Sequence, residues 1–270
     1  MSGLLFEKWQ GAGNDFILID NRDHRADGLD QLKIRKLCDR HFGIGSDGLI
    51  LLSDLAGYDF RMVFFNPDGN PADMCGNGGR CIAAMAYRLG TAGTDMRFMA
   101  PDGPHEAHVI RPDWIRLKMK EVEEVNQVEE GLWRGVFLNT GVPHLVLFVD
   151  EVHRIDVEAL GPKLRFDPRF APAGTNVNFV EASGNILKVR TYERGVENET
   201  LACGTGNIAA AVAAEWRNNS GLTEYTCQAV GGTLKVSFNR LANGSFTDIW
   251  LEGAATKVFE GTYFLELSTF

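Results

Sequence analysis

The feature that most restricts the fold of this chain is that it contains itself twice. Gly11-Ala12-Gly13-Asn14-Asp15-Phe16, followed by an Ile-Leu-Ile run, is echoed by Asn139-Thr140-Gly141-Val142-Pro143-His144, followed by Leu-Val-Leu. Gly45-Ser46-Asp47 is echoed by Gly174-Thr175-Asn176, and Met74-Cys75-Gly76-Asn77-Gly78 by Ala202-Cys203-Gly204-Thr205-Gly206. The offset is 128 residues from Gly13 to Gly141, 129 from Gly45 to Gly174 and 128 from Cys75 to Cys203. Three matches in one order at a nearly constant offset point to a duplicated unit. The expectation is two pseudo-twofold-related lobes of one topology, with equivalent positions facing each other across a cleft.

Local patterns agree between the copies. Phe16 to Ile19 and Leu145 to Val149 are apolar runs of strand length, and Arg61 to Phe65 and Leu187 to Tyr192 carry the β-branched and aromatic residues of strands. Each of the latter ends in a polar turn, Asn66-Pro67-Asp68-Gly69-Asn70 or Arg194-Gly195-Val196-Glu197-Asn198. A cysteine, glycines and a helix follow. Arg80 to Leu89 stops at Gly90, and Asn207 to Arg217 stops before Asn218-Asn219. Further strands are expected at Ile115 to Met119, Leu234 to Phe238 and Ile249 to Leu251. The fold class is α/β (α+β): strand-rich lobes, each with one main helix threaded through it. Their expected limits are 1–119, completed by 260–270, and 120–259.

Composition narrows the partners. Net charge is -9, with 27 Lys plus Arg against 36 Asp plus Glu, which disfavours nucleic acid and anionic membrane. No run approaches the roughly 18 apolar residues of a membrane helix, and the start lacks a secretory pattern. The expected location is cytoplasmic. Five cysteines, an odd number, argue against a disulfide framework. His105 and His108 form an H-x-x-H among prolines with no cysteine pair nearby, so no metal site is expected.

Cys38, Cys81 and Cys227 read as small apolar residues. Cys75 and Cys203 differ, because each precedes a helix beside glycines. The first N–H groups of a helix lack intrahelical acceptors and favour an anion, and a thiol there ionises more readily than a free cysteine. A carboxylate held between two such helix starts would place its α-carbon between two sulfurs. One thiolate removes the α-proton and the opposite thiol returns a proton to the other face, which inverts the centre. A Cys–His hydrolase, with Cys203 as nucleophile and His144 as base, leaves Cys75 and the duplication unexplained. A non-catalytic amino-acid-binding protein has no need of paired thiols.

These motifs identify a resemblance. The chain resembles the diaminopimelate epimerases, within a wider set of cofactor-independent racemases and epimerases. The resemblance spans nearly the whole chain and rests on Gly11 to Phe16, Ala72 to Cys81, Gly174 to Asn178, Tyr192 to Gly195 and Glu199 to Gly206. It implies two α/β lobes, each a strand barrel around a central helix, with the active site in the cleft between them. It implies conversion of LL- to meso-diaminopimelate, toward lysine and a cell-wall precursor, with no pyridoxal phosphate and no metal, in a homodimer. Residue by residue, Cys75 and Cys203 take the acid/base positions, and Gly76, Asn77, Gly204 and Thr205 those whose backbone N–H groups hold the reacting carboxylate. Asn14, Asn66, Asn176 and Arg194 match polar substrate contacts, and His144 and Glu193 match auxiliary groups near the reacting centre. In the repeat His144 lies opposite Phe16, Glu193 opposite Phe65 and Arg194 opposite Asn66, so the lobes are chemically unequal. Arg194 can grip a distal carboxylate with two parallel bonds. Many members of that family have Asn-Pro-His where this chain has Val142-Pro143-His144, some have glutamine in place of Gly48, and some lack one residue between Gly195 and Thr200. A racemase of another amino acid on the same scaffold is the near alternative.

Overall fold

A computed structural model describes residues 3–130 and 133–264. The chain divides into two compact units, Met1–Leu117 with Ala254–Phe270, and Lys118–Gly253. Of the segment 260–270, residues 265–270 lie outside the described residues.

The first unit runs β1 (Leu4–Gly11), β2 (Asn14–Asp20), α1 (Gln31–Cys38), β3 (Leu49–Ser53), β4 (Phe60–Phe65), α2 (Gly76–Arg88), β5 (Asp95–Ala100), β6 (Gly103–Arg111) and β7 (Trp114–Lys118). The second runs β8 (Val125–Glu130), β9 (Trp133–Asn139), β10 (Pro143–Phe148), α3 (Val157–Arg165), β11 (Asn176–Ser183), β12 (Ile186–Glu193), β13 (Asn198–Thr200), α4 (Gly204–Asn218), β14 (Glu224–Ala229), β15 (Gly232–Arg240) and β16 (Phe246–Ala254). A last strand, β17 (Thr256–Tyr263), pairs antiparallel with β1.

The pairings repeat in kind. In the first unit β1/β2 is antiparallel, β2/β3 parallel, β3/β4 antiparallel, β4/β5 parallel, and β5/β6 and β6/β7 antiparallel. In the second, β9/β10, β10/β11, β11/β12, β12/β14, β14/β15 and β15/β16 follow the same series. The outermost pair matches too, with β17 on β1 answering β8 on β9. The duplication read from three short motifs is therefore a duplication of sheet topology, in an α/β fold built mostly of strands.

In each unit the sheet curls around one helix. Helix α2 packs on β1, β2, β3, β4 and β6, and α4 on β9, β10, β11, β12, β14 and β15. Small side chains make this possible: Ala83, Ala84 and Ala86 in α2, and Ala209, Ala210, Ala211, Ala213 and Ala214 in α4, are all buried. An enlarged side chain there would have to displace strand residues, at about 1–3 kcal/mol.

Both helices begin earlier than the apolar pattern suggests, at Gly76 and Gly204 rather than near Arg80 and Asn207. Glycine is a poor helix former, yet packing demands it in the first turn. A Cβ on Gly206 would lie 2.4 Å from Asn178 Oδ1, and one on Gly79 3.1 Å from Leu117. At the far end Gly90 (φ 70°) and Asn219 (φ 47°) take the left-handed conformation that ends a helix.

The pattern also leaves α1 and α3 unannounced. Each spans a parallel crossover, which antiparallel hairpins do not need, and lies on the outer face of its sheet. Ile34, Leu37 and Cys38 of α1 pack with Ile17, Ile19, Leu49 and Leu51, and Val157 and Leu164 of α3 with Leu145, Leu147, Val177 and Phe179. Their starts carry ordinary caps, Asp30 accepting from Lys33 N at 2.9 Å and Asp156 from Ala159 N at 3.0 Å.

Candidate active site

Each unit is built around its own cysteine. Cys75 and Cys203 occupy the N-cap positions of α2 and α4, both with extended backbone (φ -98°, ψ 129°; φ -105°, ψ 113°). Their carbonyls accept the first intrahelical bonds, from Gly79 N at 2.7 Å and Asn207 N at 3.0 Å. The N–H groups of Gly76 and Asn77, and of Gly204 and Thr205, precede those bonds and belong to the helix turn that has no intrahelical acceptors. With the helix dipole behind them, they can bind an oxyanion.

In the first unit a chain of amides runs from the helix start to the β1–β2 turn. Arg80 is fully buried and folds back along α2, donating to Asn77 Oδ1 at 2.8 Å and to Gly76 O at 3.3 Å. Asn77 Nδ2 donates to Asn14 Oδ1 at 2.5 Å, and Asn14 Nδ2 donates to Asp47 at 3.0 Å. A guanidinium only donates and a carboxylate only accepts, so both amides are oriented from both ends. Arg40 bridges Asp47 and Asp15 at 2.7 Å each, and Lys8 adds an ion pair to Asp15 at 2.6 Å. Burial acts to raise the Asp15 carboxyl, but the bonds and charges from Arg40 and Lys8 outweigh it and hold the group at about 2. No carboxylate pairs with Arg80 among the described residues; burial works against its charge, while Cys81 and then Cys75, both within its electrostatic reach, favour it. Asn66 lies apart from this chain. Its side chain is exposed, and its backbone closes the turn after β4 through Asn70 and Gly69.

In the second unit the surroundings are more polar and more enclosed. Cys203 Sγ lies 3.4 Å from Thr205 Oγ1, and the Glu193 carboxylate accepts from Thr200 Oγ1 at 3.0 Å and from the Cys203 thiol. Burial pushes the Glu193 carboxyl up, against the pull of those two donors. His144 is fully buried on β10; burial, then the nearby Arg194 cation, hold it down at about 3. Asn176 joins two segments, its Nδ2 donating to Pro143 O at 3.0 Å and its Oδ1 accepting from Arg194 N at 2.8 Å. Arg194, half-buried at the end of β12, reaches Ala173 O at 3.4 Å. The extra residue after Gly195 is absorbed in a turn where Glu197 (φ 57°) bonds back to Glu193 O at 2.8 Å.

The inequality read from the repeat is visible in the packing. Phe16 stacks edge-on against Phe64 at 6.0 Å in the first unit, whereas the second unit places His144 and Tyr192 at those repeat positions. Three further residues bear on the site without having been singled out: Asn178, Thr191 and Arg80. The signal for Asn178 was present, as a polar side chain inside the buried Val177 to Val180 run.

Two sequence departures receive different answers. At Gly48 a Cβ would lie 2.5 Å from the Phe64 ring and 2.7 Å from Phe65 O, so no side chain fits without displacing them. Gly48→Gln is expected to destabilise the fold by about 1–3 kcal/mol. Phe64→Leu in the same chain should recover part of that loss by freeing the ring's space. Denaturant midpoints of the two single variants and the double test this coupling, and strict additivity would contradict it. At Val142 nothing comparable constrains the side chain; its carbonyl accepts from Thr140 N at 3.1 Å.

The remaining cysteines are buried, and burial pushes Cys81 and Cys227 up to about 12. His105 and His108, both on β6, pair separately with Asp102 in the preceding turn (2.9 Å) and Asp95 on β5 (2.6 Å). Among the described residues no three His, Cys, Asp or Glu side chains group as a metal site, and no helix is long and apolar enough to cross a membrane.

A family model described as diaminopimelate epimerase matches residues 6–124 and 136–256. A diaminopimelate epimerase of Flavobacterium psychrophilum is 48% identical over 256 residues, covering 94% of this chain and 98% of the relative. Another, of a Hydrogenobaculum species, is 40% identical and covers 98% of this chain and 100% of its own length. Among solved structures, a Bacillus anthracis phenazine biosynthesis protein of the PhzF family shares the fold, with a TM-score of 0.77 at 13% identity over 98% of this chain and 100% of that one.

Proposed function

Because the chain belongs to the diaminopimelate epimerase family, we propose that it inverts the α-carbon of LL-diaminopimelate to give the meso form, with Cys75 and Cys203 as the paired acid and base. The observation that carries this reading is the equivalence of the two cysteines, each the N-cap of the central helix of its own unit.

A thiolate on one face removes the α-hydrogen, and the electron pair is left on the α-carbon. The substrate carboxylate takes up part of that charge, and the N–H groups of Gly76, Asn77, Gly204 and Thr205 stabilise it without having to reorganise. The second thiol delivers its proton to the opposite face. Each turnover thus exchanges which sulfur carries the proton. The surroundings of the two sulfurs differ, since Arg80 is a buried group near Cys75 and Glu193 accepts from the thiol of Cys203. Glu193 is also placed to take up and return the Cys203 proton. Arg194, with Asn176 behind its backbone, supplies a cation for the distal carboxylate, and Asn14 and Asn66 supply polar contacts at the other end.

This reading needs neither pyridoxal phosphate nor a metal, places the enzyme in the cytoplasm on the route to lysine and peptidoglycan precursor, and makes it a homodimer. Apolar side chains exposed on one face of the neighbouring strands β1 and β17, Leu5 and Val258, offer a surface for the second copy. The hydrolase alternative leaves Cys75, the N-cap of the central helix of its own unit, without a role.

Incubation with LL-diaminopimelate in D2O tests the function. Deuterium should appear at the inverted α-carbon at the rate of meso product formation. Absence of inversion, or inversion with full retention of the original hydrogen, would reject the two-base reading. Inversion of another amino acid in preference, in the same assay, would favour the related racemase.

A further inference from the structure

Asn178 lies fully buried on β11, and both of its amide N–H groups and its amide oxygen find partners inside the second unit. Its Nδ2 donates to Leu145 O at 3.1 Å and to His144 Nδ1 at 3.1 Å, and its Oδ1 accepts from Thr191 Oγ1 at 3.0 Å. A backbone carbonyl can only accept. The Leu145 carbonyl therefore fixes which end of the amide is the NH2 group. The second N–H of that group then points at His144 Nδ1, which must meet it with a lone pair. A neutral imidazole with its lone pair on Nδ1 carries its proton on Nε2.

The other side of the ring completes the case. His144 is fully buried, and its Nε2 has no hydrogen-bond partner within the described chain. A buried N–H with no acceptor costs free energy until a ligand supplies one. The Arg194 cation is close enough to act on the imidazole, so a negatively charged oxygen is the ligand atom that suits the place. Space for the amide is reserved at the start of α4, where a Cβ on Gly206 would strike Asn178 Oδ1 at 2.4 Å. Asn178 thereby ties the β10 histidine to the helix turn that carries Cys203. The first unit has no counterpart, since the offset of 129 read at Gly45 places Leu49 opposite Asn178 and the offset of 128 read at Cys75 places Val63 opposite Thr191.

We propose that Asn178 is a positioning residue that locks His144 in the Nε2–H form, so that His144 acts as a neutral hydrogen-bond donor to a carboxylate oxygen of the substrate and not as a base. The part of this that names the substrate rests on the epimerase reading; the part that names the tautomer does not. It separates the two auxiliary groups by role: Glu193 handles a proton at Cys203, and His144 holds an oxygen.

Nitrogen NMR of the full-length, substrate-free protein with labelled histidine tests it, with the His144 signals assigned by their loss in His144→Gln. At neutral pH the expected spectrum has a pyridine-type Nδ1 and a pyrrole-type Nε2. On addition of meso-diaminopimelate the Nε2 proton should shift as it gains an acceptor. Asn178→Asp replaces the donor by an acceptor and should move the proton to Nδ1 or produce the imidazolium. It should also lower kcat/KM by about tenfold or more, as expected for one misdirected bond to a charged group, and add an ionisation to the pH profile. A pyrrole-type Nδ1 or an imidazolium in the unmodified protein would overturn the proposal, as would an unchanged tautomer in Asn178→Asp. Should that variant not fold, the unmodified spectrum decides alone. The free-protein spectrum involves no turnover, so its failure is distinct from failure of deuterium incorporation.

Discussion

Alanine at Cys75 or at Cys203 is expected to reduce inversion by at least about 10²–10⁴-fold, the contribution of a positioned proton-transfer group, with the fold preserved. The two variants should be impaired alike, because each removes the only group on one face of the carbon. Preservation of the fold follows from the local structure. Both residues are N-caps in extended backbone with no side-chain cap bond to lose, and their carbonyls, which accept the first helix bonds, are unaffected. Alanine at Cys38 or Cys227 should give the opposite result. Those thiols lie in packed cores, so stability falls by about 1 kcal/mol while turnover persists. Coupled assays of product formation, beside denaturant melts of all four variants, separate these outcomes. Near-normal turnover by either Cys75→Ala or Cys203→Ala would end the two-base scheme. Loss confined to Cys203→Ala would point back to a single-nucleophile reaction.

The sequence carried the central topology because the same glycine-flanked cysteine follows a strand and a polar turn in both halves. It also marked most strands, since residues such as those of β4 and β12 are apolar and β-branched or aromatic regardless of partner. Helix starts were harder to see. Gly76 to Gly79 and Gly204 to Gly206 read as loop by propensity, and only contacts made from other strands, such as Asn178 against Gly206, explain why the helix begins there. Helices α1 and α3 were hidden because their apolar faces are short, with three buried residues each. The site residues divide in the same way. Those in short repeated motifs, such as Asn14, Asn77 and Thr205, stand out in the sequence as candidates. Asn178, Thr191 and Arg80 do not, because their significance is relational. A buried asparagine in a strand becomes informative only when the carbonyl and imidazole on either side of its amide are known. Gly48 is the converse case, where the missing side chain looks like a lost contact until Phe64 is seen to fill the space.

The acid limb of the stability curve should carry a recognisable share from His144. The ring is neutral and buried in the folded protein, held at about 3 against an ordinary 6.5. Below pH 6.5 the unfolded chain takes up a proton at this site and the folded one does not, so stability must fall as pH falls. Between pH 7 and pH 4.5 the loss amounts to about 2–3 kcal/mol from this group alone. It should be missing from His144→Gln, which has nothing to titrate there. Glu193 acts with the opposite sign. Its carboxyl is raised by burial, so its contribution is favourable in acid and is lost as pH rises from the unfolded carboxyl value through the raised folded one. The two effects oppose each other in weakly acidic solution, and removing the imidazole separates them. Denaturant unfolding at the two pH values provides the measurement. The pH-dependent loss in His144→Gln should be smaller than in the unmodified protein by the stated amount, and equal losses would mean that the imidazole is protonated in the folded state. In that event the ring would carry a second positive charge beside Arg194, and Asn178 could not be donating to it.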